Sequence, residues 1–250
     1  MNSNYGRRSF LKTASAGGAL ALSQIVSSAY AESKPGKISL RKEDVVLFQG
    51  DSITDAGRNR EEKGFNNTRA LGNGYALLAS SRLLHEHADK TLQIANRGIS
   101  GNKVYQLAER WDEDCLNLKP AVLSILIGVN DFWHTLNGDY TGTIETYRTD
   151  LNNLLDRTKQ KLPGVKLIIG EPFAVTGVKA VDSQWFPRFD EYRQAAREIA
   201  GKFQAVFIPY QSIFDKATKT APGVYWTHDG VHPSLAGSQL MAEAWLKAIG

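Results

Sequence analysis

The chain contains a single cysteine, Cys115, among its 250 residues. No intrachain disulfide can form, so stability has to come from a packed core. Histidine is scarce too, five in all, with His85 and His87 two apart on an expected helix and therefore facing different ways, and His134 isolated. Metal-ligand spacing is absent, as are both standard glycine-rich phosphate loops, so neither a metal nor any other cofactor is expected. No basic stripe interleaved with aromatics occurs, which removes the signature of a nucleic-acid partner. Long apolar runs are also missing: the best candidate, residues 14–26, is short and rich in Gly, Ala and Ser, a poor bilayer span.

That run belongs to a leader. Arg7 and Arg8 precede Ser9, Phe10, Leu11 and Lys12, then come the small apolar residues and Ala29-Tyr30-Ala31. Paired arginines, a modestly apolar middle and an A-x-A site describe a twin-arginine export signal over residues 1–31, a better fit than an amphipathic helix or a membrane anchor. The leader carries three cations and no acid, so its removal lowers the formal charge from +4 to +1. The expectation is a periplasmic or secreted protein with no stable membrane insertion after cleavage. Residues 32–43, ESKPGKISLRKE, read as a polar lead-in, and 44–250 as one domain.

In that domain apolar runs alternate with helical patterns. Residues 45–48, 92–95, 121–127, 165–169 and 205–208 read as strands; 75–87, 104–118, 143–161, 189–203 and 234–249 read as helices. Five strands alternating with helices imply right-handed crossovers and a parallel sheet covered on both faces. The expected fold class is α/β, a flavodoxin-like three-layer α/β/α sandwich.

Chemistry concentrates in four short blocks. Residues 45–57, VVLFQGDSITDAG, end a buried strand on Gly50, Asp51 and Ser52, which puts the serine at the carboxyl end of the sheet, where open α/β folds hold ligands. A serine is a weak nucleophile until a base takes its proton. Residues 226–233, WTHDGVHP, supply His232 with Asp229 three residues before it, able to reach one serine from one loop. NRGISG (residues 96–101) and GVND (128–131) follow two further apolar runs and offer hydrogen-bond donors to an oxyanion.

Each block has a plainer reading. Asp51-Ser52 could merely cap a helix, Asp229-Gly230 form a turn, His232 sit solvated in a loop, and Asn130 occupy a turn. Their joint occurrence in this order outweighs those readings. The four blocks resemble the SGNH (GDSL-type) hydrolase family of esterases and lipases over roughly residues 44–250, with GDSIT where the family motif is GDSL. The resemblance implies Ser52 as nucleophile, Asp229 and His232 as the rest of the triad, and Ser52, Gly101 and Asn130 as oxyanion donors. Gly98 rivals Gly101, but the family spacing of asparagine, four residues, glycine favours Gly101. Asp131 reads as a structural partner, and His228 as a surface or substrate-side residue.

The loops expected near the site are polar and aromatic: Asn66, Asn67 and Asn73, then Trp133, His134 and Tyr140, then Trp185 and Trp226. Aromatic platforms with amide donors suit sugar rings. Asn73, Trp133 and Trp226 are therefore the expected substrate-binding residues. The family's carbohydrate acetylesterase branch is the implied relative, with a small-molecule or polysaccharide ester as substrate. A lysophospholipase or thioesterase would share every catalytic residue; a non-catalytic carbohydrate-binding protein should lack part of the triad, and no part is missing.

Overall fold

A computed structural model describes residues 36–250. The expected export signal, and residues 32–35 of the lead-in, lie outside the described residues. Each apolar run forms a strand: β1 (Val45–Gly50), β2 (Gln93–Asn96), β3 (Val122–Leu126), β4 (Lys166–Gly170) and β5 (Val206–Ile208). All four pairings are parallel and the order is β2-β1-β3-β4-β5, the flavodoxin-like order expected. Every residue of β3 is buried, as a central strand covered on both faces requires.

The chain leaves β1 through a single helical turn, α1 (Ser52–Asp55), and a polar segment holding another, α2 (Thr68–Leu71), before α3 (Tyr75–Glu86). After β2 come α4 (Val104–Glu109) and α5 (Trp111–Asp114); after β3, α6 (Val129–Leu136) and α7 (Ile144–Lys161). After β4 comes α8 (Arg188–Lys202), and β5 leads into α9 (Tyr210–Ala217), α10 (Gly223–Trp226) and α11 (Leu235–Leu246). Helix α11 packs on α3 and α9, while α7 packs on α4 and α8, giving two helical layers. Buried tryptophans tie the layers down. Trp245 of α11 lies 4.8 Å from Phe48 and donates its indole N–H to Ser124 of β3 at 2.9 Å; Trp111 donates to Thr158 of α7 at 2.9 Å. A buried indole needs such a partner.

The observed elements differ from the expected ones. Residues 104–118 do not form one helix: the backbone leaves the helical conformation at Arg110 (φ −111°, ψ +13°), whose guanidinium donates to Arg97 C=O at 2.7 Å, Asn102 Oδ1 at 3.0 Å and Asp114 at 2.7 Å. Residues 129–136, not expected to be helical, form α6. The described part of the lead-in is docked, with Ile38 buried and its backbone bonded to Ala248 C=O and Gly250 N–H.

Candidate active site

β2 is added on one side of β1 and β3 on the other, so the strand order reverses between β1 and β3, and ligands in such sheets sit beyond the carboxyl ends of those strands. Gly50 closes β1 with φ +156°, and a Cβ there would lie 2.2 Å from Leu126 C=O of β3, so only glycine fits. Asp51 then caps α1, its Oδ1 accepting Ile53 N–H at 3.0 Å. The plain capping role is real, and it starts a helix on Ser52.

Ser52 Oγ lies 2.8 Å from His232 Nε2. The histidine comes from a tight loop between α10 and α11, closed by an antiparallel bridge from Thr227 to Pro233 and by His228 N–H donating to His232 C=O at 2.8 Å. Ser234 caps α11, its Oγ accepting Gly237 N–H at 3.2 Å, so the loop ends on a rigid element. Asp229 Oδ2 is 2.7 Å from His232 Nδ1, and Oδ1 accepts Val231 N–H at 2.9 Å and His232 N–H at 2.8 Å. Partial burial raises the Asp229 pKa, but the His232 backbone N–H, its ring and Val231 N–H together hold it below the ordinary carboxylate value. An ionised Asp229 keeps the proton on Nδ1 and leaves Nε2 to accept from the Ser52 hydroxyl. The structure thus brings Ser52, His232 and Asp229 into one hydrogen-bonded chain.

The three expected oxyanion donors lie on the segments that follow β1, β2 and β3. Ser52 N–H opens α1, where helical N–H groups have no intrahelical acceptor. Gly101 follows β2 in a turn closed by Asn102 N–H to Ile99 C=O at 3.1 Å; its φ of +82° is the value a type II turn needs at its third residue. Gly98 is a packing glycine instead. Its N–H is occupied by Asn96 Oδ1 at 2.8 Å, and a Cβ would lie 2.5 Å from Asp55 N. Asn130 sits at the start of α6, and its Nδ2 donates to Asn102 C=O at 3.2 Å, leaving a second amide hydrogen. Asp131 Oδ1 accepts Val104 N–H at 3.1 Å and joins α6 to α4. Burial pushes its pKa up to about 7.

The expected substrate residues divide. Trp133 is half-buried, 6.3 Å from the His232 ring and 5.6 Å from Trp185. Asn73 is exposed, with its backbone N–H on Ala56 C=O at 2.9 Å. Trp226 packs against the core and donates its indole N–H to Ala221 C=O at 3.2 Å. Among the described residues, neither Asn73 nor the Trp226 side chain hydrogen-bonds to the triad. Trp185 is fully buried and cannot face a sugar. Asn66 and Asn67 are also engaged internally: Asn66 pairs with Leu92 C=O and Ile94 N–H along β2, each at 2.8 Å, and Asn67 caps α2. His228 is exposed. Among the described residues no group of three or more His, Cys, Asp or Glu side chains is gathered as metal ligands, and no helix is long and apolar enough to cross a membrane.

Sequence reasoning missed the residue that joins the blocks. Asp55, at the end of α1, accepts from both Ser100 N–H at 2.9 Å and Ser100 Oγ at 2.8 Å. Nothing in local spacing signals a pair 45 residues apart.

Residues 48–240 match the model of the GDSL-like Lipase/Acylhydrolase family. An acetylxylan esterase of Geobacillus stearothermophilus is 34% identical over 209 residues, covering 82% of this chain and 93% of that protein. Among solved structures, a GDSL-like protein of Parabacteroides merdae superposes with a TM-score of 0.83 at 53% identity, covering 85% of this chain and 98% of that one. A crystal structure of an acetylxylan esterase from Geobacillus stearothermophilus gives 0.73 at 33% identity, covering 87% and 96%.

Proposed function

This chain belongs to the GDSL-like lipase/acylhydrolase family and is a carboxylic ester hydrolase, and on that premise we propose that it removes acetyl groups from carbohydrate esters through an acyl-enzyme on Ser52. The observation that carries the mechanism is the relay from Ser52 Oγ to His232 Nε2 at 2.8 Å and from His232 Nδ1 to Asp229 Oδ2 at 2.7 Å. Ser52 Oγ attacks the ester carbonyl while His232 Nε2 takes its proton. Negative charge develops on the former carbonyl oxygen and meets Ser52 N–H, Gly101 N–H and Asn130 Nδ2. The imidazolium, steadied by Asp229, returns its proton to the departing sugar oxygen as the C–O bond breaks. Water then attacks the acetyl-serine, with His232 again taking and returning a proton, and acetate leaves.

The choice of a sugar acetate is supported by the acetylxylan esterases of Geobacillus stearothermophilus, to which the chain is similar over most of its length. Trp133 beside His232 supports a small acyl group, because an indole there limits space near the base. Residues 1–31 fit the same reading as a twin-arginine export signal, since polymeric sugar esters lie outside the cell.

The test is acetate release by residues 32–250 from acetylated xylan, run beside p-nitrophenyl acetate and p-nitrophenyl octanoate. Release from xylan with little octanoate cleavage supports the assignment. Preference for octanoate moves the enzyme to a lipid or thioester substrate with the same triad.

A further inference from the structure

We infer that Asp55 is a positioning residue for the oxyanion hole: from the end of the helical turn that begins with Ser52, it fixes Ser100 and so aims the neighbouring Gly101 N–H. This rests on the reading of Gly101 and Asn130 as oxyanion donors.

Apart from the turn bond from Asn102 N–H to Ile99 C=O and the bond from Ile99 N–H to Gly50 C=O, each 3.1 Å, the Ser100–Gly101 peptide has few contacts to set its direction. Ser100 is exposed, and a Cβ on Gly101 would meet nothing within 4 Å. Glycine is also the residue whose φ is least restrained by its own side chain. The segments on either side are anchored. Before the turn, Asn96 Nδ2 donates to Thr54 C=O at 2.6 Å, and Gly98 C=O accepts Arg58 Nε at 2.8 Å. After it, Asn102 C=O accepts Asn130 Nδ2 at 3.2 Å. Between those anchors, and among the described residues, the hydrogen-bond partner of Ser100 is Asp55, which accepts from both its N–H and its hydroxyl.

Asp55 is suited to this. Its side chain is buried, and the Arg60 guanidinium bonds the same oxygen that accepts from Ser100, so the carboxylate is charge-paired where it grips the turn. Burial raises its pKa, while Arg60 and Ser100 outweigh that and lower it overall. Helix α1 has its own closed hydrogen bonds, Asp55 N–H to Asp51 C=O at 2.8 Å and Ala56 N–H to Ser52 C=O at 2.9 Å. The nucleophile and the grip on the oxyanion turn therefore move as one body. A 1 Å error in placing a catalytic group can cost about a hundredfold.

The experiment measures kcat and KM for p-nitrophenyl acetate with Asp55→Ala, Ser100→Ala, Ser100→Thr and Asn130→Ala. Active sites in each preparation are counted with a fluorophosphonate probe. Expected for Asp55→Ala is a loss of roughly tenfold to a hundredfold in kcat per titrated site with KM nearly unchanged. Ser100→Ala should lose less, and Ser100→Thr, which keeps the hydroxyl, should recover it. A purely structural Asp55 would lower the melting temperature and the titrated fraction while leaving kcat per site at the parent value, and that result overturns the inference. Should Asp55→Ala fail to fold, equal kcat in Ser100→Ala and Ser100→Thr overturns it instead. Asn130→Ala separates the two levels. It should lose about a hundredfold or more; full turnover there removes the oxyanion reading itself and the inference with it.

Discussion

Both carboxylate oxygens of Asp229 are held by one residue, His232: Oδ1 accepts its backbone N–H at 2.8 Å, and Oδ2 faces its ring Nδ1 at 2.7 Å. A three-residue separation within one loop makes this possible. The carboxylate fixes where the histidine begins and which way its ring points, so orientation depends little on distant packing. Ser52, 180 residues earlier, then needs only the sheet to bring it to Nε2.

Asp229→Asn tests that double grip. The asparagine oxygen can still accept the Val231 and His232 N–H groups, so the loop should keep its shape. Its amide, however, presents a donor to Nδ1 and favours the wrong tautomer. The expected loss is about ten-thousandfold in kcat with the protein still folded at neutral pH. Turnover within tenfold or so of the parent would contradict the role.

The same aspartate has a signed pH effect. Its folded pKa lies below the ordinary 3.8, so its contribution to stability is present above that value and is lost as pH falls through the lower folded pKa. Denaturant midpoints from pH 6 down to pH 2 should therefore fall less steeply for Asp229→Asn than for the parent. Parallel curves would contradict the depressed value.

Asp51 should behave in the opposite sense. It is fully buried, one of its oxygens has no hydrogen-bond partner among the described residues, and burial pushes its pKa up to about 7. Native protein then holds a proton that the unfolded chain releases near 3.8, so stability is fullest below 3.8, declines as pH rises toward 7, and is level above it. Asparagine can cap α1 equally well and carries no charge. Asp51→Asn should be the more stable protein at pH 8 relative to pH 4, by up to about 4 kcal/mol. Denaturant melts at the two pH values check this, and an unchanged difference between variant and parent would refute it.

The Trp133 ring lies 6.3 Å from the His232 ring, and the proposed preference for a small acyl group draws on that proximity. Trp133→Ala should raise octanoate activity relative to acetate activity by roughly tenfold or more, the scale set by extra methylenes entering an apolar space. The ratio of kcat/KM for the two p-nitrophenyl esters measures it. A constant ratio would remove Trp133 from acyl selection.

The strands and the Ser52, Asp229 and His232 set were legible because each is encoded locally, in an apolar run or within one short block. Helix α6 was not: residues 129–136 follow Gly128 at φ +128° with no side-chain cap, so its N-terminal boundary carries no signal. The break at Arg110 and the grip of Asp55 on Ser100 depend on groups brought together only by the fold. Asn66 and Asn67 misled for a related reason. Amide side chains that suit a sugar also suit a strand edge and a helix cap, and here the backbone takes both.

The most direct test of the central claim is the mass of the protein quenched during p-nitrophenyl acetate turnover, followed by peptide mapping. The expected result is one added acetyl group on the peptide containing Ser52, absent from Ser52→Ala, which should be folded and inactive. An acetyl group on another residue, or steady turnover by Ser52→Ala at the parent rate, would contradict the mechanism.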